Sequence, residues 1–179
     1  MLSSKKTEWI IAGYQLVGIK GFDAVNVEQI ARSLEKNKSS FYHYFGESPI
    51  YTEALLEYHL SRGHELKLKL EQIENILPDI LPLFLEFKED LLFHKQLRIN
   101  RSDEQKKRCF ENVFTLFENS ILKQWVAFLG FENRPMIART FLHLISENFL
   151  LQITESNFTQ EWLESYLMDI AKVIGQLSK

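Results

Sequence analysis

The stretch that decides the fold is residues 21–45, which read GFDAVNVEQIARSLEKNKSSFYHYF. Within it, Asn26 is a favourable helix cap, because its side-chain oxygen can accept hydrogen bonds from the free amides of a first turn. The residues after this cap predict a helix, since apolar side chains recur at i, i+3, i+4 and i+7 in Val27, Ile30, Ala31 and Leu34. A break at residues 35–37 then precedes a short helix that carries Phe41 and Phe45 one turn apart.

A helix before this stretch completes a unit of three. Gly21 ends that first helix, and its apolar face has the same spacing in Ile10, Gly13, Tyr14 and Val17. Gly46 ends the third helix. Two helices joined by a tight turn can present the second of them to the major groove of DNA. The sequence therefore predicts a helix-turn-helix domain over residues 1–47.

The short third helix has a composition suited to such contact. Its two phenylalanines can face the other helices, while its N-terminal end presents small or flexible hydrogen-bonding groups in Asn37, Lys38, Ser39 and Ser40. Tyr42 and His43 lie on the exposed side, where a hydroxyl and an imidazole can reach phosphates. Ordinary roles stay open beside these, since Lys38 and His43 also suit a solvated surface and Tyr42 also suits a core.

Two segments of this stretch resemble the DNA-binding domain of the TetR family of transcriptional regulators, namely residues 21–31 and residues 38–45. The aromatic run Phe-Tyr-His-Tyr-Phe after a serine is characteristic of the family. The resemblance implies a homodimer that binds a palindromic operator in double-stranded DNA, usually as a repressor, and that a small-molecule effector releases. It also implies that Asn26 lies near a phosphate, that Lys38 and Ser40 approach bases or backbone, and that Tyr42 and His43 contact phosphates.

The break between the second and third helices departs from the family pattern. The family usually has a glycine there, followed by an apolar residue, whereas this chain has Glu35 and Lys36. A left-handed backbone is predicted at Glu35, which costs a non-glycine residue about 1 kcal/mol and brings a carboxylate close to DNA. At the N-terminus, Lys5 and Lys6 suit a solvated tail or an arm that touches phosphate.

Composition and charge limit the class of protein. Of 179 residues, 45% are hydrophobic and 25% are charged, which is typical of a globular chain, and only 7 Gly and 4 Pro favour long helices over hairpins. The net charge is −3, so a basic footprint for nucleic acid is weak. A single cysteine cannot form an internal disulfide, and neither the start Met1–Lys6 nor any later apolar run predicts a signal peptide or a membrane span. We expect a cytoplasmic protein.

Residues 48–179 predict a second, wholly helical domain, which gives about nine helices and an all-α fold. Its first helix begins at Ser48 and Pro49 and continues to Leu77, with Gly63 as either a bend or a tolerated glycine. Residues 83–93 predict one buried helix, and Ser102 with Gln105 predicts the cap of the helix that Gly130 ends. The last two helices are predicted at about residues 135–155 and 159–177.

Two functional surfaces are predicted in this second domain. The candidates for the wall of an apolar ligand pocket are Phe84, Phe87, Phe110, Phe114, Phe117 and Trp125, with His94, His143 and Glu147 as polar anchors. The candidates for a twofold dimer interface on the last two helices are Ile137, Phe141, Leu144, Trp162, Tyr166 and Ile170. Packing within the chain is an open alternative for each of them.

Nothing in the sequence favours an enzyme or a cofactor. The pairs His143/Glu147 and Asp90/His94 stand at i, i+4, but no histidine follows an acidic residue at the Glu-x-x-His spacing of a di-iron bundle. HExxH, P-loop and GxGxxG motifs are absent, and Cys109 beside an apolar stripe suits an inert buried thiol. The favoured interpretation is a TetR-like regulator, and the alternative is a helical small-molecule or protein-binding module with weak or lost DNA binding.

Overall fold

A computed structural model describes residues 4–177 of the chain. This part contains nine α-helices and no β-strand, in agreement with the all-α prediction. A short 3-10 helix at Phe22–Ala24 joins α1 to α2. The helices are α1 Ser4–Lys20, α2 Val27–Ser33, α3 Lys38–Phe45, α4 Ser48–Leu70, α5 Ile80–Glu86, α6 Lys88–Ile99, α7 Glu104–Leu129, α8 Pro135–Gln152 and α9 Gln160–Leu177. Met1, Leu2 and Ser3, which belong to the predicted N-terminal domain and start region, lie outside the described residues.

Asparagine and aspartate side chains cap three of the helices. The Oδ1 atom of Asn26 accepts from the amides of Glu28 at 2.9 Å and Gln29 at 3.1 Å, as the sequence predicts. Asn37 does the same for α3. The cap of α7 is Asp103 rather than the predicted Ser102, because the Asp103 carboxylate accepts from the first free amides of that helix.

Two predicted helix boundaries were wrong. Helix α4 ends at Leu70 rather than Leu77, and the segment after it folds around the Asp79 carboxylate, which accepts from the amides of residues 74 and 75. The single helix predicted over residues 83–93 is two helices, α5 and α6, which meet at the fully buried Phe87. Periodicity missed the second break because no glycine or proline marks it.

Two hydrophobic clusters hold the helices together. The first joins α1, α2 and α3 to the N-terminal half of α4 and to Phe93, Leu97 and Cys109 of α6 and α7. The second lies among the C-terminal half of α4 and helices α5 to α9. Because α1 packs along α6 as well as α4, the helix-turn-helix unit shares its core with the rest of the chain. The predicted division after residue 47 stays a prediction.

Two glycines allow helices to approach closely. A Cβ at Gly13 of α1 would lie 1.8 Å from the hydroxyl oxygen of Tyr51 of α4. A Cβ at Gly63 of α4 would lie 3.0 Å from a methyl group of Val113 of α7. Helix α4 continues through Gly63 without a break, and this glycine allows α4 and α7 to pack closely.

Candidate nucleic-acid interface and internal cavity

Helix α3 has one buried face and one exposed face. Phe41 and Phe45 are almost fully buried, and the Phe41 ring packs edge-on against Trp9 of α1 at 5.5 Å between centroids. On the opposite side, the Tyr42 side chain is 53% exposed, and His43 is exposed beside it. The exposed face of α3 can therefore enter a groove while its phenylalanines fix its position on α1.

The N-terminal end of α3 holds the other predicted contact residues. The Asn37 side chain accepts from the Ser39 amide at 3.0 Å, and the Ser40 hydroxyl donates to the Asn37 carbonyl oxygen at 2.7 Å. The Lys38 ammonium group lies 2.8 Å from a carboxylate oxygen of Glu28, which belongs to α2, and this ion pair lowers the pKa of Glu28. Both side chains are exposed, so Lys38 can exchange this partner for a phosphate.

The turn before α3 keeps its shape without a glycine. Glu35 has a φ of +53°, which is the left-handed backbone that the sequence predicts at this position. The next residue, Lys36, forms an ion pair with Glu8 of α1. At the N-terminus, the Lys6 ammonium group lies 5.3 Å from the centre of the Phe45 ring. Carboxylates thus face two of the lysines near α3, which keeps the positive charge of this surface low.

A cavity of about 80 Å³ lies among helices α4 to α9. Four of the predicted pocket residues line it, namely Phe84, Phe114, Phe117 and Trp125, and the predicted anchor His94 lines it too. Phe149 and Tyr166, which sequence reasoning missed for this site, complete its aromatic wall. The wall is thus mostly aromatic, as expected for an apolar ligand site.

Two predicted wall residues and two predicted anchors lie elsewhere. Phe87 is buried under the guanidinium group of Arg62, and Phe110 lies behind His94, with 4.3 Å between the ring centroids. His143 is directed to Glu118, at 2.8 Å between Nε2 and Oε1. Glu147 forms an ion pair with Arg98. These placements differ from the prediction because helical spacing shows which residues share one face of a helix. It does not show which neighbouring helix that face contacts.

A network of buried polar groups forms one end of the cavity. The Tyr14 hydroxyl of α1 donates to Asp90 Oδ1 at 2.8 Å and lies 2.6 Å from Nδ1 of His59. The Nε2 atom of His59 is 3.1 Å from Nδ1 of His94. Arg62 donates to both carboxylate oxygens of Asp90 through Nε and Nη2. Because Tyr14 belongs to α1, the network joins the helix-turn-helix domain to the cavity wall.

Sequence reasoning missed most of this network. His59 and Arg62 are not among the predicted site residues, although His59 follows Leu55 by four residues and precedes Leu66 by seven. That spacing places a histidine on the buried face of α4. The spacing was a usable signal for a buried histidine, but its partners Tyr14 and His94 are 45 and 35 residues away in the chain.

Burial controls the protonation of the network. Loss of solvent lowers the pKa of His94 to about 3, and burial with the nearby His94 and Arg62 lowers the pKa of His59 well below its usual range. Burial and the Asp90 carboxylate raise the pKa of Tyr14. Both imidazoles are therefore neutral at pH 7, each with one N–H donor and one bare nitrogen acceptor.

We expect the two buried histidines to make the protein less stable in mild acid. An unfolded chain binds protons at both below about pH 6.5, whereas the folded chain does not until the pH falls much lower, toward about 3 for His94. The free energy of unfolding is therefore not reduced by these histidines above pH 6.5. Below that pH it falls by about 1.4 kcal/mol per pH unit for each histidine. Urea unfolding at pH 7 and pH 5 measures this loss.

A matched pair of variants separates the histidines from other acid-sensitive groups. His94→Phe removes one buried imidazole and should reduce the loss between pH 7 and pH 5. His64→Gln changes an exposed histidine of α4 and should leave the loss as it is in the parent. An equal loss in the parent and in His94→Phe would show that the buried pair does not set the acid sensitivity.

The predicted dimer residues divide between the surface and the core. Ile137 and Leu144 of α8 are exposed, at 40% and 61%, and Phe141 is half-buried. Trp162, Tyr166 and Ile170 of α9 are half-buried and pack against the second hydrophobic cluster. Within residues 160–176 of α9, the exposed large apolar side chains are Met168 and Val173, which were not predicted. Helical periodicity alone did not distinguish these faces because α9 is apolar on more than one side.

The side chains of His143 and Glu147 have other partners in the structure. His143 and Glu147 contact Glu118 and Arg98, and within residues 4–177 no group of three or more His, Cys, Asp or Glu side chains could hold a metal ion. The Cys109 thiol is buried 3.6 Å from a backbone carbonyl oxygen, and burial raises its pKa to about 12. None of the described helices is long and apolar enough to span a membrane.

Comparison with known proteins supports the N-terminal motif and the fold. Residues 10–48 match the family model of bacterial regulatory proteins of the tetR family. The chain is similar to the crystal structure of a protein from Rhodococcus sp. that is assigned to the TetR family of transcriptional regulators. Sequence identity is 15% and the TM-score is 0.63, over 97% of this chain and 99% of that one. No curated protein matches the sequence. The resemblance to the TetR family is confirmed, and the chain has the fold of a TetR-family regulator with an N-terminal helix-turn-helix domain.

Proposed function

We propose that the protein is a DNA-binding transcriptional regulator that acts in the cytoplasm as a homodimer on a palindromic operator. The observation that carries this proposal is the exposed face of α3, because it presents Tyr42 and His43 on a helix that Phe41 and Phe45 hold against α1. In the helix-turn-helix arrangement, the second helix of the pair enters the major groove and side chains near its N-terminus contact base edges. Here that end carries Lys38 and Ser39.

Contacts at the N-termini of α2 and α3 add affinity for DNA that the net charge of the protein does not provide. Backbone amides at helix N-termini bind phosphate oxygens without a cationic side chain, and the amides of Val27 and Lys38 precede those that Asn26 and Asn37 cap. Lys38 adds a phosphate contact once it leaves Glu28, since both groups are exposed. Because carboxylates pair with Lys36 and Lys38 near α3, we propose that few phosphates are neutralised and that the salt dependence is shallower than that of a strongly basic protein.

Helix α8 supports the proposed dimer. Ile137, Leu144 and Leu151 are exposed and stand seven residues apart, so they form one apolar stripe along the helix. Met168 of α9 is exposed too. A self-complementary surface of this kind favours a twofold pair of chains. Such a dimer would carry two copies of α3 to successive major grooves, about 34–36 Å apart.

The cavity supports release by a small, mainly apolar effector. Arg62, Gly63 and Leu66 of α4 line it, and α4 begins directly after the helix-turn-helix unit. A ligand that shifts α4 or the Tyr14 contact therefore changes the position of α3. A coupling of about 1–3 kcal/mol changes DNA affinity about 5- to 150-fold, which is sufficient for repression and release.

The test is selection of bound duplexes from a random DNA pool at low salt, followed by affinity measurement on the selected site. We expect a palindrome from the parent chain. Tyr42→Ala and Lys38→Ala should weaken binding about tenfold each, because each removes a contact of about 1–2 kcal/mol. Lys123→Ala, an exposed lysine on α7, is the matched control and should leave affinity unchanged.

Leu144→Arg tests the dimer in the same experiment. A charge in the apolar stripe should turn the dimer into a monomer and reduce the selected palindrome to a half-site, whereas Leu68→Arg on the exposed side of α4 should do neither. A folded dimer that enriches no sequence would contradict DNA binding. That result would favour a helical ligand- or protein-binding module, which the carboxylates beside Lys36 and Lys38 also suit.

A further inference from the structure

We infer that the cavity takes an uncharged, mainly apolar molecule whose hydroxyl group donates a hydrogen bond to Nε2 of His94. This inference rests on the proposed function, because it assigns a ligand class to the effector cavity of the proposed regulator. It follows from the direction of the hydrogen bonds in the buried network, from the charges around them and from the aromatic wall of the cavity.

The direction of the hydrogen bonds is set at Asp90. A carboxylate can only accept, so the single proton of the Tyr14 hydroxyl points to Asp90 Oδ1, 2.8 Å away. The 2.6 Å contact between Tyr14 and His59 must then use a proton on Nδ1 of His59. A neutral His59 has no second proton, so its Nε2 accepts from Nδ1–H of His94 at 3.1 Å.

The last nitrogen of this relay is a bare acceptor at the cavity. Since His94 donates through Nδ1 and is neutral, its Nε2 has a lone pair and no proton. The described residues offer this atom no hydrogen-bond partner, although the His94 side chain is 7% exposed and lines the cavity. This atom is not among the fully buried polar atoms that lack a partner, so it is accessible at the cavity, where a donor on a bound molecule can form a hydrogen bond with its lone pair.

The charges around this end favour an uncharged ligand. Arg62 is the one lysine or arginine among the described lining residues, and its guanidinium group is occupied by Asp90 and Glu65. A carboxylate ligand would therefore meet the lone pair of His94 without a free cation. A hydroxyl group meets the same lone pair with a proton and brings no charge into the cavity.

The walls favour a flat apolar body. Phe84, Phe114, Phe117, Trp125 and Phe149 surround the space beyond His94, and aromatic faces pack well against another ring. A cavity of about 80 Å³ suits a small molecule, and a phenol with a short alkyl chain combines such a ring with a neutral hydroxyl donor at pH 7. Alkylphenols are therefore suitable probes.

The test measures binding of three probes to the DNA-free protein by calorimetry, with His94→Phe and His94→Asn as variants. The probes are 4-propylphenol, the isosteric 4-propyltoluene, and 4-propylbenzoate. We expect the parent to bind the phenol and not the benzoate. Both variants should weaken the phenol about tenfold and leave the toluene unchanged or tighter, because only the phenol donates to Nε2. The phenylalanine variant keeps an aromatic ring packed on Phe110, whereas the asparagine variant keeps a hydrogen-bond donor for Nε2 of His59.

Phe117→Leu is the matched control, because it alters the wall without touching the relay. It should weaken phenol and toluene by the same factor. Equal losses for phenol and toluene in the His94 variants would overturn the inference, and so would a parent that binds none of the probes or that prefers the benzoate. DNA selection by the parent is unaffected in all of these outcomes, so a failure here is distinct from a failure of the proposed function.

Discussion

Gly13→Ala is expected to destabilise the protein by about 3 kcal/mol or more, since overpacking a well-filled core costs 1–3 kcal/mol and a direct overlap costs more. The new Cβ would lie 1.8 Å from the hydroxyl oxygen of Tyr51 and 2.6 Å from its Cζ atom. Tyr51 is almost fully buried and donates to the Trp9 carbonyl oxygen at 2.5 Å, so its ring cannot move without breaking that bond. Thermal unfolding should show a Tm about 10 °C lower.

Gly18→Ala is the matched control, with the same substitution in the same helix. Its Cβ would lie 3.4 Å from Leu92 Cβ, an ordinary contact, and alanine is the better helix former by about 0.5–1 kcal/mol. Its Tm should therefore stay or rise slightly. In Gly13→Ala with Tyr51→Leu, the two losses should be less than additive, because the leucine removes the overlap. If Gly13→Ala unfolds at the same temperature as Gly18→Ala, α1 and α4 do not need this close approach.

Gly13 illustrates which parts of the fold the sequence predicts. The apolar spacing of α1 placed this glycine on the buried face, and the cap at Asn26 predicted the start of α2. These are local signals, because a cap or a helical face involves residues within a few positions of each other. The partner of Gly13, Tyr51, is 38 positions further along the chain, and no local pattern identifies it.

The missed boundaries have the same cause. Leu77 has the spacing of the preceding apolar residues, but α4 ends at Leu70 because the segment after it is held by the side chain of Asp79. Nothing between Leu83 and Phe93 breaks a helix locally, yet the chain changes direction at Phe87 to bury that ring. Tertiary contacts therefore override periodicity at both places.

The candidate sites follow a similar division. The residues of the α3 surface could be named from the motif, because the positions of the buried phenylalanines determine which residues of the same helix are exposed. The aromatic character of the cavity could also be named, but which rings line it depends on how α5, α7 and α8 cross. The charges at its polar end, Arg62 and Asp90, join helices 28 residues apart in the chain, and the sequence contains no signal for that pairing.

The pairing of Asp90 gives the second large expected effect. Asp90→Ala should cost about 3–5 kcal/mol, the range seen when one partner of a buried ion pair is removed. The Asp90 side chain is 9% exposed, and its carboxylate accepts from Tyr14 at 2.8 Å and from Nη2 of Arg62 at 2.9 Å, which fixes α1 and α4 to α6. Without it, the Tyr14 hydroxyl loses its acceptor and the guanidinium group keeps only the exposed Glu65. Urea unfolding measures the loss.

Glu89→Ala, one residue earlier, is the control for this prediction. Its carboxylate is exposed and bonds to Gln15 at 2.8 Å, so its removal should cost no more than about 0.5 kcal/mol. Asp90→Asn should fall between the two, because an amide oxygen still accepts from Tyr14 but carries no charge for Arg62. A loss in Asp90→Ala no larger than that in Glu89→Ala would mean that water or Glu65 replaces the carboxylate. The contact between Tyr14 and Asp90 would then not be what holds α1 against the cavity wall.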